Sequence, residues 1–124
     1  ELPEPKTGEE IELPLEKLST KKGTSAVYQL RFPKIGRYEL VFRMSSTLGE
    51  LAQLPISVFL NNTLQQTVTL NGTEGQTMER VVTLPIRQDG EKYMKLYFGE
   101  SGIDMHQMFL RYVGKNDIES IRNE

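Results

Sequence analysis

Hydrophobic and polar residues alternate with a period of two through most of this chain. That period is the mark of half-buried β-strands. Residues 36–44, GRYELVFRM, place Tyr38, Leu40, Phe42 and Met44 on one face. Glu39, Val41 and Arg43 fall on the other, where Glu39 and Arg43 are expected to pair. Residues 25–32, SAVYQLRF, alternate and stop before Pro33. Residues 55–60 and 64–70 flank Asn61-Asn62-Thr63 and read as a hairpin with a short polar turn. Further strands are predicted over 9–13, 78–85, 92–98 and 105–113, with a turn signal at Gln88-Asp89-Gly90. Every Pro falls near a strand end or in a linker, where its missing N–H does little harm.

About eight short strands at this spacing predict an all-β, antiparallel β-sandwich or jelly roll. If successive strands alternate in direction, the short loops at 33–35, 61–63 and 86–91 share one end. The longer loops at 14–24, 45–54, 71–77 and 99–104 then share the other. Long loops grouped on a rigid sandwich are where binding usually resides. Leu48, Leu51 and Leu54 recur every three residues, which suggests one helical turn over 47–54. Residues 1–8 are rich in Pro and Glu and read as a linker ahead of the 9–113 module. Residues 114–124 read as a polar tail or linker, with Ile118 and Ile121 on one face of a short helical turn.

Composition narrows the chemistry. The 124 residues suit a single domain. Without Cys there is no disulfide, thiolate metal site or cysteine nucleophile, and one His rules out a multi-histidine centre within the chain. A net charge of -2 argues against a nucleic-acid surface. No apolar run approaches the ~20 residues of a membrane span. The sequence opens at Glu1 with no signal-peptide pattern, and we read it as a processed protein or a module of a longer one.

The ordered series GRYELVFRMSS, LPISVFLNN, VTLPIRQDGEKYMKLYF and GIDMHQMFLRYV resembles carbohydrate-binding modules of the family 6 and family 35 type. Gly36 and Tyr38 match the family's strand onset, Asn61 and Asn62 its hairpin tip, and Asp89 and Gly90 its turn. The resemblance implies a galactose-binding-like β-sandwich attached to a secreted, cell-surface or extracellular glycoside hydrolase, of bacterial origin. It also implies a structural calcium, with Glu10, Glu12 and Asp104 as the carboxylate ligands. Hard oxygen donors of this kind are what Ca²⁺ takes; the other reading is solvated carboxylates. Family members usually stack a sugar on an aromatic ring in the long loops. This chain has no Trp, and its four long loops hold no aromatic residue.

The candidate ligand-binding set is therefore Tyr93, Lys95 and Tyr97 on one strand face, with Asn71, Glu74 and Glu100 on the long loops. The two tyrosines either offer aromatic platforms to a glycan or pack under a loop or neighbouring domain. His106 alternates with Met108, Leu110 and Tyr112 and reads as a hydrogen-bonded packing residue. Lys17, Lys21 and Lys22 read as a solvated run. Asn61 and Asn71 each open an Asn-x-Thr sequon, which turn chemistry also explains. Glu74 could face Glu100 or Asp104 as a carboxylate pair. A sandwich this small seldom builds the cleft that catalysis needs. The sequence thus reads as a non-catalytic carbohydrate-binding accessory module whose partners are a polysaccharide and a catalytic domain of the same parent chain. The alternative is a structural or interaction sandwich that packs on a neighbour without binding sugar.

Overall fold

The computed structural model describes residues 2–6 and 9–114. Eight strands form: β1 Glu10–Leu13, β2 Ser25–Phe32, β3 Gly36–Ser45, β4 Gln53–Leu60, β5 Thr63–Asn71, β6 Met78–Ile86, β7 Gly90–Phe98 and β8 Asp104–Gly114. They make two four-stranded antiparallel sheets, ordered β1-β8-β3-β6 and β2-β7-β4-β5. The eight strands and the sandwich match the sequence expectation. The proposed tail turn with Ile118 and Ile121 lies outside the described residues.

The period of two explains the core. Tyr38, Leu40, Phe42 and Met44 of β3 face Leu54, Ile56, Val58 and Leu60 of β4 across the interior, and all are buried. Each large apolar side chain removed from water contributes about 1.5–3 kcal/mol before the cost of ordering it. Phe32, Tyr38 and Tyr112 stack edge to face, with centroid spacings of 5.0 Å. The Tyr38 hydroxyl stays satisfied by donating to the Lys34 carbonyl at 2.6 Å and accepting from its N–H at 3.1 Å. Burial pushes the Tyr38 phenol up to about 12.

Local chemistry sets the strand ends. β1 stops before Pro14 and β2 before Pro33. The β4–β5 hairpin turns on Asn61 and Asn62, both at positive φ (49° and 67°). Two such residues make the turn whose twist matches the flanking strands, and Asn tolerates it better than most residues. Pro55 sits inside β4, but its partner on the β7 side is Gly99, just beyond the end of β7. Its missing N–H therefore breaks no ladder bond there.

Two expectations need correcting. Residues 47–54 do not form a helical turn. Ala52 donates to the Gly49 carbonyl at 3.0 Å in a tight turn, Leu54 is buried in β4, and Leu51 is 95% exposed. A three-residue leucine spacing here spans a turn and a strand. Glu39 and Arg43 do not pair with each other. Residues four apart on a strand stand about 13 Å apart, so each finds a partner across the ladder instead. Residues 2–6, within the segment read as a linker, touch the sandwich. Pro5 is buried, and the Pro3 carbonyl accepts from the Arg31 N–H at 3.0 Å.

The grouping of loops comes out as expected. The Thr20 hydroxyl donates to the Ile103 carbonyl, and the Lys22 N–H donates to Ser101. Three hydrogen bonds join Ser46 and Thr73. The loops after β1, β3, β5 and β7 thus lock together at one end.

Candidate functional site

The strongest surface lies on the outside of the β2-β7-β4-β5 sheet. Alternation sends Met94, Leu96 and Phe98 into the core and turns Tyr93, Lys95 and Tyr97 outward. Tyr93 is 56% exposed and Tyr97 is 41% exposed. Among the described residues, no loop covers either ring. Tyr97 stands between Ser25 of β2 and Ser57 of β4, whose small side chains leave its ring open. Lys95 stands between Val27 and Phe59, with its ammonium 4.5 Å from the Phe59 ring centroid. Tyr93 faces Gln29, and its N–H donates to Asn61 Oδ1 at 3.0 Å. The Ser57 and Thr67 hydroxyls share a hydrogen bond of 2.8 Å farther along this face. The result is a flat, largely uncharged surface with two aromatic rings about 13 Å apart along one strand.

A second surface forms where the long loops meet the mouth of the sandwich. A hollow of about 530 Å³ opens there between β5 and β6. Its polar walls are Glu50, Asn71, Glu74, Gln76 and Arg80. The loop over it is built tightly. Glu74 is held at a positive φ of 52°, with its N–H on the Leu48 carbonyl at 3.0 Å and the next N–H, from Gly75, on the Ser46 carbonyl at 2.8 Å. A residue other than Gly or Asn in that conformation costs free energy that its surroundings must supply. Gly72 is required for close approach: a Cβ there would stand 2.1 Å from the Gly49 carbonyl oxygen.

The structure thus separates the residues singled out by the sequence. Tyr93, Lys95 and Tyr97 share the sheet face. Asn71 and Glu74 share the hollow. Glu100 lines neither; it sits on the neighbouring loop, 3.6 Å from Lys22. Neither Glu100 nor Asp104 joins Glu74 as a carboxylate pair in the hollow. Sequence reasoning missed Glu50, Gln76 and Arg80. Arg80 carried a signal: it shares the inward parity of the buried Val82, Leu84 and Ile86. A charged residue on the core parity at a strand start marks where the interior opens to water.

The carboxylates proposed for calcium do not fit the ion. Glu10 pairs with Arg111 at 3.7 Å. Glu12 stands opposite Phe109, whereas Asp104 stands opposite Ser45 at the far end of β8. The two positions are about 16 Å apart along the strand. Among the described residues, no three His, Asp or Glu side chains gather into a metal-holding group. His106 also differs from its expected place. A bulge opposite Arg43 and Met44 turns it outward, and its Nε2 lies 2.8 Å from Ser45 Oγ. Met105 packs on the core instead.

The comparisons with known proteins bear on this fold. No family model matches the chain. A β-glucosidase of Ruminococcus albus is 28% identical over 96 residues, covering 77% of this chain. The chain spans 10% of the length of that relative. Among solved structures, the C-terminal family 6 carbohydrate-binding module of a laminarinase from Zobellia galactanivorans superposes with a TM-score of 0.65. It is 17% identical and covers 82% of this chain and 87% of its own. A family 35 carbohydrate-binding module of Clostridium thermocellum gives 0.63 at 13% identity, over 84% and 88%. A β-glucosidase of Paenibacillus barengoltzii gives 0.58 at 18% identity, covering 88% of this chain but 13% of its own. Among the described residues, no helix is long and apolar enough to cross a membrane. The chain has the antiparallel β-sandwich fold of the family 6 and family 35 carbohydrate-binding modules.

Proposed function

We propose that this chain is a non-catalytic glycan-binding module of a larger, secreted carbohydrate-active protein. The observation that carries the reading is the open outer sheet face with Tyr93 and Tyr97 exposed. The apolar face of a sugar ring stacks on an aromatic ring, and its hydroxyls need hydrogen-bonding neighbours. Tyr97 has Ser25 and Ser57 beside it, and Lys95 supplies a donor between the two rings. Two platforms along one strand suit an extended chain of sugars better than a single one. The hollow beside Glu74 adds a separate set of hydrogen-bonding groups for sugar hydroxyls.

The comparisons support this reading. Two of the similar proteins are β-glucosidases in which the matching part is a small fraction of the chain. A catalytic domain elsewhere in such a parent would supply the chemistry, and this module would hold it near substrate. A second reading rests on Val27 and Leu64, which are exposed on the same sheet and could pack against a neighbouring domain.

The test is affinity electrophoresis of this chain through gels that contain soluble polysaccharides, β-linked glucans first. The proposal expects slowed migration in at least one of them. No retardation by any plant, host or microbial polysaccharide sinks the glycan reading and favours domain packing.

A further inference from the structure

A sheet edge carries unpaired backbone groups and invites another strand, so natural sandwiches block their edges. Three of the four edges here are blocked. β1 is four residues long and carries Glu10 and Glu12. β6 carries Glu79, Arg80 and Pro85. The edge of β2 is crossed near one end by the Pro3 carbonyl on Arg31, and the Tyr28 hydroxyl donates to Pro14. β5 carries only a bulge near its start, where Gln65 is the extra residue, and beyond it none of these devices. Its nine residues, TLQQTVTLN, contain no charge and no proline.

The ladder shows which groups of β5 are available. The Pro55 carbonyl accepts from Gly99, so the backbone of Pro55 points toward the β7 side. Its partner on β5 is Thr69, and two residues along Ser57 faces Thr67. In an antiparallel ladder such residues direct their N–H and C=O away from the shared strand. Thr67 and Thr69 therefore aim donors and acceptors off the free edge, and both residues are exposed. On the opposite parity, Gln66 reaches back to the Thr83 carbonyl and ties β5 to β6. From Gln66 to Asn71 the edge is thus held in strand geometry, and among the described residues nothing bonds the outward groups of Thr67 and Thr69.

We propose that β5 joins a second copy of this chain, antiparallel about a two-fold axis, into one continuous eight-stranded sheet. Self-pairing suits this strand because it has no charge to meet its own image. The threonines of one copy facing those of the other make about four backbone hydrogen bonds. The two-fold axis stands normal to the sheet, so both tyrosine faces point the same way. If the glycan reading holds, the dimer is a bivalent surface, and avidity rises without any new contact to sugar. The dimer itself does not depend on that reading.

One strand pair buries less than the ~1,200 Å² of a standard interface, so association is weak, with a Kd on the order of 0.1–1 mM. Sedimentation velocity over a concentration series up to about 1 mM reads it. The expected result is a reversible rise in mass for the wild type and a monomer for Thr67→Pro at every concentration. The Thr67 N–H makes no bond to β4, so the proline leaves the internal ladder whole. Thr69→Lys is the second variant; it places like charges beside the axis and decides the question if Thr67→Pro does not fold. A wild type that stays monomeric overturns the proposal. So does a dimer that both variants leave unchanged. Failure of polysaccharide binding, measured separately, would leave the dimer standing.

Discussion

The two outer faces of this sandwich share one core but use their polar groups in opposite ways. On the β1-β8-β3-β6 sheet, charges answer one another across the strands. Arg111 holds Glu39 at 2.8 Å and Glu10 at 3.7 Å. Arg43 reaches Glu79 at 3.4 Å and Gln107 at 3.2 Å. Between these pairs Val41 is only 1% exposed although it points outward, because Phe109 and Val81 flank it and Arg43 lies over the Phe109 ring. On the β2-β7-β4-β5 sheet the Arg31–Glu91 pair, at 2.9 Å, sits toward one end of the face, and beyond it Tyr93, Tyr97, Ser25 and Thr69 are exposed and uncharged. Nearly identical strand geometry therefore gives one face whose polar groups mostly answer one another and one that leaves aromatic rings and hydroxyls exposed. Fold alone does not make a binding face; what matters is the hydrogen-bonding and aromatic capacity left over once the sheet is built.

The largest expected effect separates the faces directly. Replacing Tyr93 and Tyr97 together by Ala removes both platforms. Each stacking contact is worth about 0.5–1.5 kcal/mol, so glycan affinity falls by about 5- to 150-fold, measured by titration calorimetry. The melting temperature should hardly move, because both rings are exposed. A double variant with unchanged affinity would place the sugar elsewhere, with the hollow beside Glu74 the next site to vary.

A second effect belongs to the core that both faces share. The folded Tyr38 phenol titrates near 12, above its ordinary value of 10.0, chiefly because it is buried. Its contribution to stability is complete below pH 10 and is lost as pH rises through about 12. Chemical denaturation at a series of pH values should show that fall, and Tyr38→Phe should flatten it. A fall of equal size in the variant would assign alkaline unfolding to other groups.

A smaller effect sharpens the self-satisfied face. Glu39→Gln weakens the partly buried pair with Arg111, at a cost of about 1 kcal/mol in thermal denaturation, without any change in polysaccharide retention. Smallest of all is salt. About 1 M NaCl screens the exposed Arg43–Glu79 pair and lowers stability by a few tenths of a kcal/mol, while binding through Tyr97 stays constant. Retention that collapses in salt would mean that charge, through Lys95 or Arg80, carries recognition.

Much of this was legible in the sequence. Period-two alternation is a local signal, and it located all eight strands and the inward parity of Tyr38, Leu40, Phe42 and Met44. It also put Tyr93, Lys95 and Tyr97 on a common face. Alternation could not say which residues meet across strands, because register comes from the tertiary assembly. Hence alternation alone pairs Glu39 with Arg43 on its own strand, whereas its partner is Arg111 on β8. One extra residue in a strand inverts the faces on either side of it, and the bulge at His106 did so without a local marker. The hollow was half legible. Grouped loops named Asn71 and Glu74 and also carry Glu50 and Gln76, but Arg80 reaches it from β6, through the closure of β5 on β6.

The central claim is that recognition lies on the tyrosine face and not on the ion-paired one. Its most direct test is affinity electrophoresis of Tyr97→Ala beside Arg43→Ala, in the polysaccharide that slows the parent protein most. The account predicts that Tyr97→Ala loses most of the retardation while Arg43→Ala keeps it. Equal retardation of the two variants, or loss in Arg43→Ala alone, would contradict it.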